Sequence, residues 1–164
     1  MSGLIGGAGS KSGVIGLAGT NNPAFSAYRT NSYDPGTTGT WYTLVCDNED
    51  FDSFGKYDNS TGIFTPGVVG KYFLSATVAR SNSISDNTTY KSRITNQSSY
   101  LHVYDYSTRD GVSVDQYMQL SVIVNVTSSS DAFKVEGWQN SHPDTQFMGG
   151  THGCRFSGYR IINN

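Results

Sequence analysis

The run Leu120-Ser-Val-Ile-Val-Asn-Val126 decides the fold class. Leu120, Val122, Val124 and Val126 fall on one side of an extended chain, and Ser121, Ile123 and Asn125 on the other. That period of two is what a half-buried antiparallel strand imposes. A helix would place apolar residues three and four apart, and from Pro23 onward no stretch of ten residues keeps that spacing. Working outward, the same alternation predicts strands over 25–30, 41–46, 62–66, 71–80, 89–95, 100–106, 115–126, 132–139 and 153–162. Turn-forming clusters separate them, among them Tyr33-Asp-Pro-Gly36, Tyr57-Asp-Asn-Ser60, Ser81-Asn-Ser83 and Ser128-Ser-Ser-Asp131. The expected body is an all-β sandwich or jelly roll. In Tyr100-Leu-His-Val-Tyr-Asp-Tyr106 the tyrosines stand opposite the aliphatic positions, which fits an interface face and an ordinary exposed strand face alike.

The chain opens differently. Gly3-Leu-Ile-Gly-Gly-Ala-Gly-Ser-Lys-Ser12 is followed directly by a second copy of the pattern, Gly13-Val-Ile-Gly-Leu-Ala-Gly-Thr-Asn-Asn22. Each unit sets one aliphatic pair among glycines, which add backbone entropy and no packing surface. Fixing about 20 such residues costs on the order of 20–40 kcal/mol, against roughly 1.5–3 kcal/mol returned per buried aliphatic side chain. A segment of this kind is held only by backbone pairing with a partner. The expected organisation is therefore an anchoring arm over 1–22 and one domain over 23–164. Leu4, Ile5, Val14, Ile15 and Leu17 would be the arm's contacts with its partner.

Composition narrows the function. Of 164 residues 11 are Lys or Arg and 13 Asp or Glu, a net charge of −2, so no basic stripe is available to displace counterions from a phosphate backbone. Nucleic acid is not the expected partner. No apolar run approaches the roughly 18 residues that cross a bilayer, and the first residues lack the basic start and apolar stretch of a secretory leader. No membrane association is expected, and synthesis in a host cytoplasm is. Cys46 and Cys154 are too few for a disulfide framework; buried free thiols are the preferred reading over a bridge. The sequons at Asn59, Asn87, Asn96 and Asn125 arise readily by chance in a chain rich in Ser, Thr and Asn.

A search for chemistry finds no site. His102, His142 and His152 are not spaced to share a metal on one strand. The acidic run Asp47, Glu49, Asp50 and Asp52 lacks the glycine and distal glutamate of a calcium loop, so solvated turn acids are expected there, with a structural calcium as the alternative. Neither a Gly-x-Ser-x-Gly elbow nor a cysteine-protease signature occurs. The expectation is a protein without catalytic residues, metal or cofactor. Trp41 and Trp138 are expected in the core, the alternative being that they stack on sugar rings.

The stretch from Asp47 to Phe73 carries a denser signal. Tyr57-Asp58, then Thr61-Gly62-Ile-Phe64-Thr65-Pro66, then Gly70-Lys-Tyr72-Phe73 resembles the central block of the globular head of complement component one, subunit q. Pro23-Ala-Phe25-Ser-Ala27 resembles the opening strand of those heads, and Phe156-Ser-Gly158-Tyr159 their closing strand. The resemblance spans about 23–162, with Pro66 one place early. It implies a ten-stranded jelly roll of the tumour-necrosis-factor-like superfamily that forms a trimer. It further implies that Phe25, Tyr57, Gly62, Phe64, Gly70, Tyr72, Phe73, Phe156, Gly158 and Tyr159 pack the core or the trimer. For Phe25, Ala27, Phe156 and Tyr159, packing within one subunit and packing at the three-fold axis both stay open. Glycines 3, 6, 9 and 13, 16, 19 break their three-residue spacing between 9 and 13, and no proline precedes Pro23, so a collagen stem is not expected.

Arm and body together suggest a structural virion protein: a trimeric bacteriophage decoration or cement protein that grips the major capsid protein, or another virion protein, through residues 1–22. The alternative is a trimeric receptor-binding tip of a tail or fibre, adhering to a glycan or protein on the host surface.

Overall fold

The computed structural model describes residues 21–36, 39–80, 88–96, 100–109, 116–140, 147–150 and 152–161, with the side chains of 88 and 100–109 left aside. The arm residues Leu4, Ile5, Val14, Ile15 and Leu17 lie outside the described residues, as do the side chains of the tyrosine-rich run 100–106.

The described residues form no helix. They hold eleven strands: β1 (Ala24–Tyr28), β2 (Trp41–Thr43), β3 (Asn48–Asp52), β4 (Tyr57–Asp58), β5 (Ile63–Phe64), β6 (Gly70–Arg80), β7 (Thr88–Thr95), β8 (Tyr100–Arg109), β9 (Gln116–Val126), β10 (Lys134–Gln139) and β11 (Arg155–Arg160). Nine were legible from alternation, and the resemblance implied ten. The two that alternation did not reveal are β3 and β4. The acidic run expected as a turn is instead the edge strand β3, paired antiparallel to β1 with a register shift between Ser26 and Ala27.

Two sheets face one another, in the orders β3-β1-β11-β6-β9 and β2-β10-β7-β8, beside a small β4-β5 ladder. All pairings are antiparallel. Each long strand sends alternate residues inward: Tyr72, Leu74, Ala76 and Val78 from β6, Leu120, Val124 and Val126 from β9, and Phe25 and Ala27 from β1 are all buried. At the centre the Phe25 ring stacks on Tyr57 at 4.9 Å, tilts against Phe64 at 4.3 Å and meets Phe156 edge-on at 5.0 Å. Such offset and edge contacts add to the area the rings bury. Phe25, Ala27 and Phe156 are therefore core residues of one subunit.

The motif 57–62 closes the β4-β5 hairpin. The Asp58 carboxylate accepts from the Ser60 amide at 2.8 Å, and the Gly62 amide donates to the Asp58 carbonyl at 2.7 Å. Gly62 sits at φ +76°, where a Cβ would meet Val45 Cα at 3.1 Å, so a side chain is opposed by both backbone and space. The Tyr57 hydroxyl lies inside, accepting from the Cys46 amide and donating to the Cys46 carbonyl, each at 3.1 Å. Both cysteines are buried and free.

Candidate functional site

The outer face of the five-stranded sheet is built by the half of the alternation that the core does not use. In β11, Phe156 and Gly158 point inward, so Ser157 and Tyr159 point out; in β6, Tyr72 and Leu74 point inward, so Phe73 and Ser75 point out. Cross-strand register assembles these into rows. Ala24, Tyr159, Phe73 and Ile123 lie side by side across β1, β11, β6 and β9. Tyr159 is 42% exposed and Ile123 63%, and the Phe73 and Tyr159 rings lie 5.5 Å apart. The next row outward on that face is Ser26, Ser157, Ser75 and Ser121. The row beyond it is Tyr28, Arg155, Thr77 and Gln119, where Arg155 pairs with Asp50 and lies over the Tyr28 ring.

The aromatic and aliphatic row and the serine row beside it carry no charge of their own, with Lys71 bounding them on one side and the Arg155–Asp50 pair on the other. Depletion of charge and enrichment in aromatic residues are the compositional marks of the centre of a protein interface. Small side chains let a second backbone approach, and the exposed rings supply the apolar area.

The signature residues thus divide between two places. Phe25, Tyr57, Phe64, Tyr72 and Phe156 are buried, Gly62 holds a turn at φ +76°, and Gly70 opens β6 at φ +146°. Gly158 clears space for Leu74 and Phe25. Phe73 and Tyr159 belong to the outer row. Ile123 completes that row and was missed as a site residue, although its phase opposite Leu120, Val122 and Val124 marks it in the sequence.

The acids 47–52 do not converge. Asp47 is exposed and accepts from the amide and hydroxyl of Thr30; desolvation raises its carboxyl, and these hydrogen bonds outweigh it and hold the group below the ordinary carboxylate range. Asp50 takes Ser26 Oγ and Arg155, and Asp52 takes the amides of Phe54 and Tyr57. Among the described residues no three His, Cys, Asp or Glu side chains are grouped as metal ligands. The cysteines offer no nucleophile: burial pushes the Cys46 thiol up to about 12 and the Cys154 thiol to about 11.

The tryptophans are not in the core. In β10, Val135, Gly137 and Gln139 face inward, where a Cβ on Gly137 would strike the Phe147 ring at 2.5 Å. Lys134, Glu136 and Trp138 therefore face out. Trp41 is in register with Trp138, and both are half-buried on the outside of the four-stranded sheet. Tryptophan in phase with Lys134 and Glu136 was a legible sign of this, which the usual burial of the residue type obscured.

The family model of the C1q domain matches residues 24–161. Among solved structures, the globular domain of zebrafish complement 1qA protein is 15% identical, with a TM-score of 0.60 over 87% of this chain and 98% of that one. Murine APRIL is 9% identical, with a TM-score of 0.56 over 84% of this chain and 98% of that one. At these identities the likeness shows a shared fold. No curated protein is significantly similar in sequence.

Proposed function

The chain belongs to the C1q domain family, and from that premise we propose that it works as a homotrimeric, non-enzymatic binding and structural protein of a bacteriophage virion. The observation that carries the trimer is the row Tyr159, Phe73 and Ile123 with the serine row beside it: two adjacent uncharged rows on the outside of a sheet whose inside is already a complete core. In the trimer this face packs against neighbouring subunits and the four-stranded sheet turns outward.

The duplicated units over 1–22 supply the attachment. Leu4, Ile5, Val14, Ile15 and Leu17 contact the major capsid protein or another virion protein, and the protein decorates and stabilises the phage head, made in the host cytoplasm and located on the virion. Deleting residues 1–20 tests this: the truncated chain should keep the association state and fold of the full chain and fail to bind particles. Imaging of purified particles should find hundreds of copies at three-fold positions. Full decoration by the truncated chain would overturn the anchoring role.

One observation favours a second reading. The outward tryptophans Trp41 and Trp138 suit recognition, as in a trimeric receptor-binding tip that adheres to a host surface glycan or protein. A few trimers at a tail or fibre end, instead of hundreds on the head, would select that reading.

A further inference from the structure

The outer face of the four-stranded sheet carries a cluster that the association face does not use. Trp41 on β2 stands in register with Trp138 on β10, and β7 brings Lys91 opposite Trp138 and Arg93 opposite Glu136. The Lys91 ammonium lies 4.5 Å from the centre of the Trp138 ring, and the Arg93 guanidinium 3.9 Å from that of Trp41. The Glu136 carboxylate is held between Arg93 at 2.5 Å and Lys134 at 2.7 Å. Among the described side chains of this face, Lys91, Arg93 and Lys134 stand with one carboxylate, Glu136.

We infer that this face binds an acidic saccharide, a pyranose chain bearing carboxylates, with Trp41 and Trp138 against its apolar C–H faces and Lys91 and Lys134 toward its acid groups. Three features select that ligand. The excess of positive charge among the described side chains calls for an anion. Two half-buried indole rings in register supply apolar surface that a simple anion would not need and a sugar ring does. The cations are seated on the rings and on Glu136 in the free protein, so fewer long side chains must be ordered when ligand arrives. Glu136 between Arg93 and Lys134 also displays, within the face, how these cations receive a carboxylate.

This inference rests on the trimer reading only in that the trimer turns the four-stranded sheet outward. Trp41 and Trp138 are the chain's two tryptophans, so intrinsic fluorescence reports on the face alone. The experiment titrates the full chain with a hyaluronan oligosaccharide, with dextran of similar length as the neutral control and heparin as the sulfated one, and measures the association state of every sample by sedimentation. The expected result is a saturable change in tryptophan emission with hyaluronan and none with dextran. Lys91→Glu should bind about tenfold or more weakly, the scale of one lost charged contact. Trp138→Ala should weaken binding similarly, and because it can disturb the sheet, Lys91→Glu, at a position outside the core cluster, serves as the variant that keeps the fold. No change with hyaluronan would overturn the inference. So would heparin binding that is tighter and indifferent to Trp138→Ala, which marks bare electrostatics, or emission changes that follow protein concentration alone, which mark contact with a second copy. If hyaluronan binds as predicted to a monomeric protein, this inference stands and the trimer reading fails.

Discussion

Gly158→Ala should destabilise the body through a contact that can be worked out in advance. In β11, Gly158 lies between Phe25 of β1 and Leu74 of β6 in one inward-facing row. A Cβ there would stand 2.6 Å from Leu74 Cδ2, 3.0 Å from Phe25 Cε1 and 3.2 Å from the Phe73 carbonyl oxygen. Leu74 can change rotamer, but Phe25 is wedged among Tyr57, Phe64 and Phe156, and the carbonyl belongs to the neighbouring strand. Forcing one methyl into a packed core costs about 1–3 kcal/mol. The loss of unfolded-chain freedom on replacing glycine returns about 0.4–1 kcal/mol where the backbone suits alanine. The net loss is about 1–2 kcal/mol, a drop of roughly 2–8 °C in melting temperature for a chain of this size. Thermal unfolding followed by circular dichroism at fixed protein concentration measures it. Leu74→Ala in the same background should recover part of the clash, so the double variant should be more stable than the sum of the single losses. A melting temperature for Gly158→Ala equal to or above that of the parent would refute the reasoning about why the closing strand carries glycine here.

Ile123→Asp should leave the body folded, since the residue is 63% exposed, while weakening trimer formation by a factor of about 100 or more, given roughly 1–2 kcal/mol of apolar burial lost from each of three subunits; sedimentation across a dilution series reads the shift. Cys46 and Cys154 should ignore a thiol reagent at pH 8 in the folded protein and react fully in denaturant, because burial raises both thiols to about 12 and about 11. The same raised values fix a sign: the folded state keeps protons that the unfolded thiols release, so stability should decline as pH rises beyond the unfolded value near 9. On the acid side the hydrogen bonds from Ser60 and Thr61 lower the Asp58 carboxyl to about 2. Its contribution is full above the unfolded value of 3.8 and is lost as pH falls toward 2, so Asp58→Ala should show a shallower fall in melting temperature over that interval.

What the sequence made legible follows from where the two faces of each strand end up. Alternation in 115–126 and 71–80 located β9 and β6 to within a residue or two, because one face of each is continuous core. It failed for β3: Asn48-Glu-Asp-Phe-Asp52 has low strand propensity and holds its place through pairing with β1, a long-range event that local pattern does not encode. Arg80 was read only as the end of a strand, yet it is fully buried over the Tyr90 ring at 3.6 Å with Gln116 accepting from Nε. The outward rows were present in the sequence as residues out of phase with the core, Phe73 beside Tyr72 and Tyr159 beside Gly158. Their alignment across four strands depends on register, which single strands do not reveal.

The most direct measurement is the mass of the full chain in solution by sedimentation equilibrium. The account predicts a single species near 53 kDa, three times the 17.8 kDa of one chain, persisting on dilution. A monomer near 17.8 kDa at micromolar concentration would contradict it, leaving the Tyr159, Phe73 and Ile123 row without the partner on which the proposed function depends.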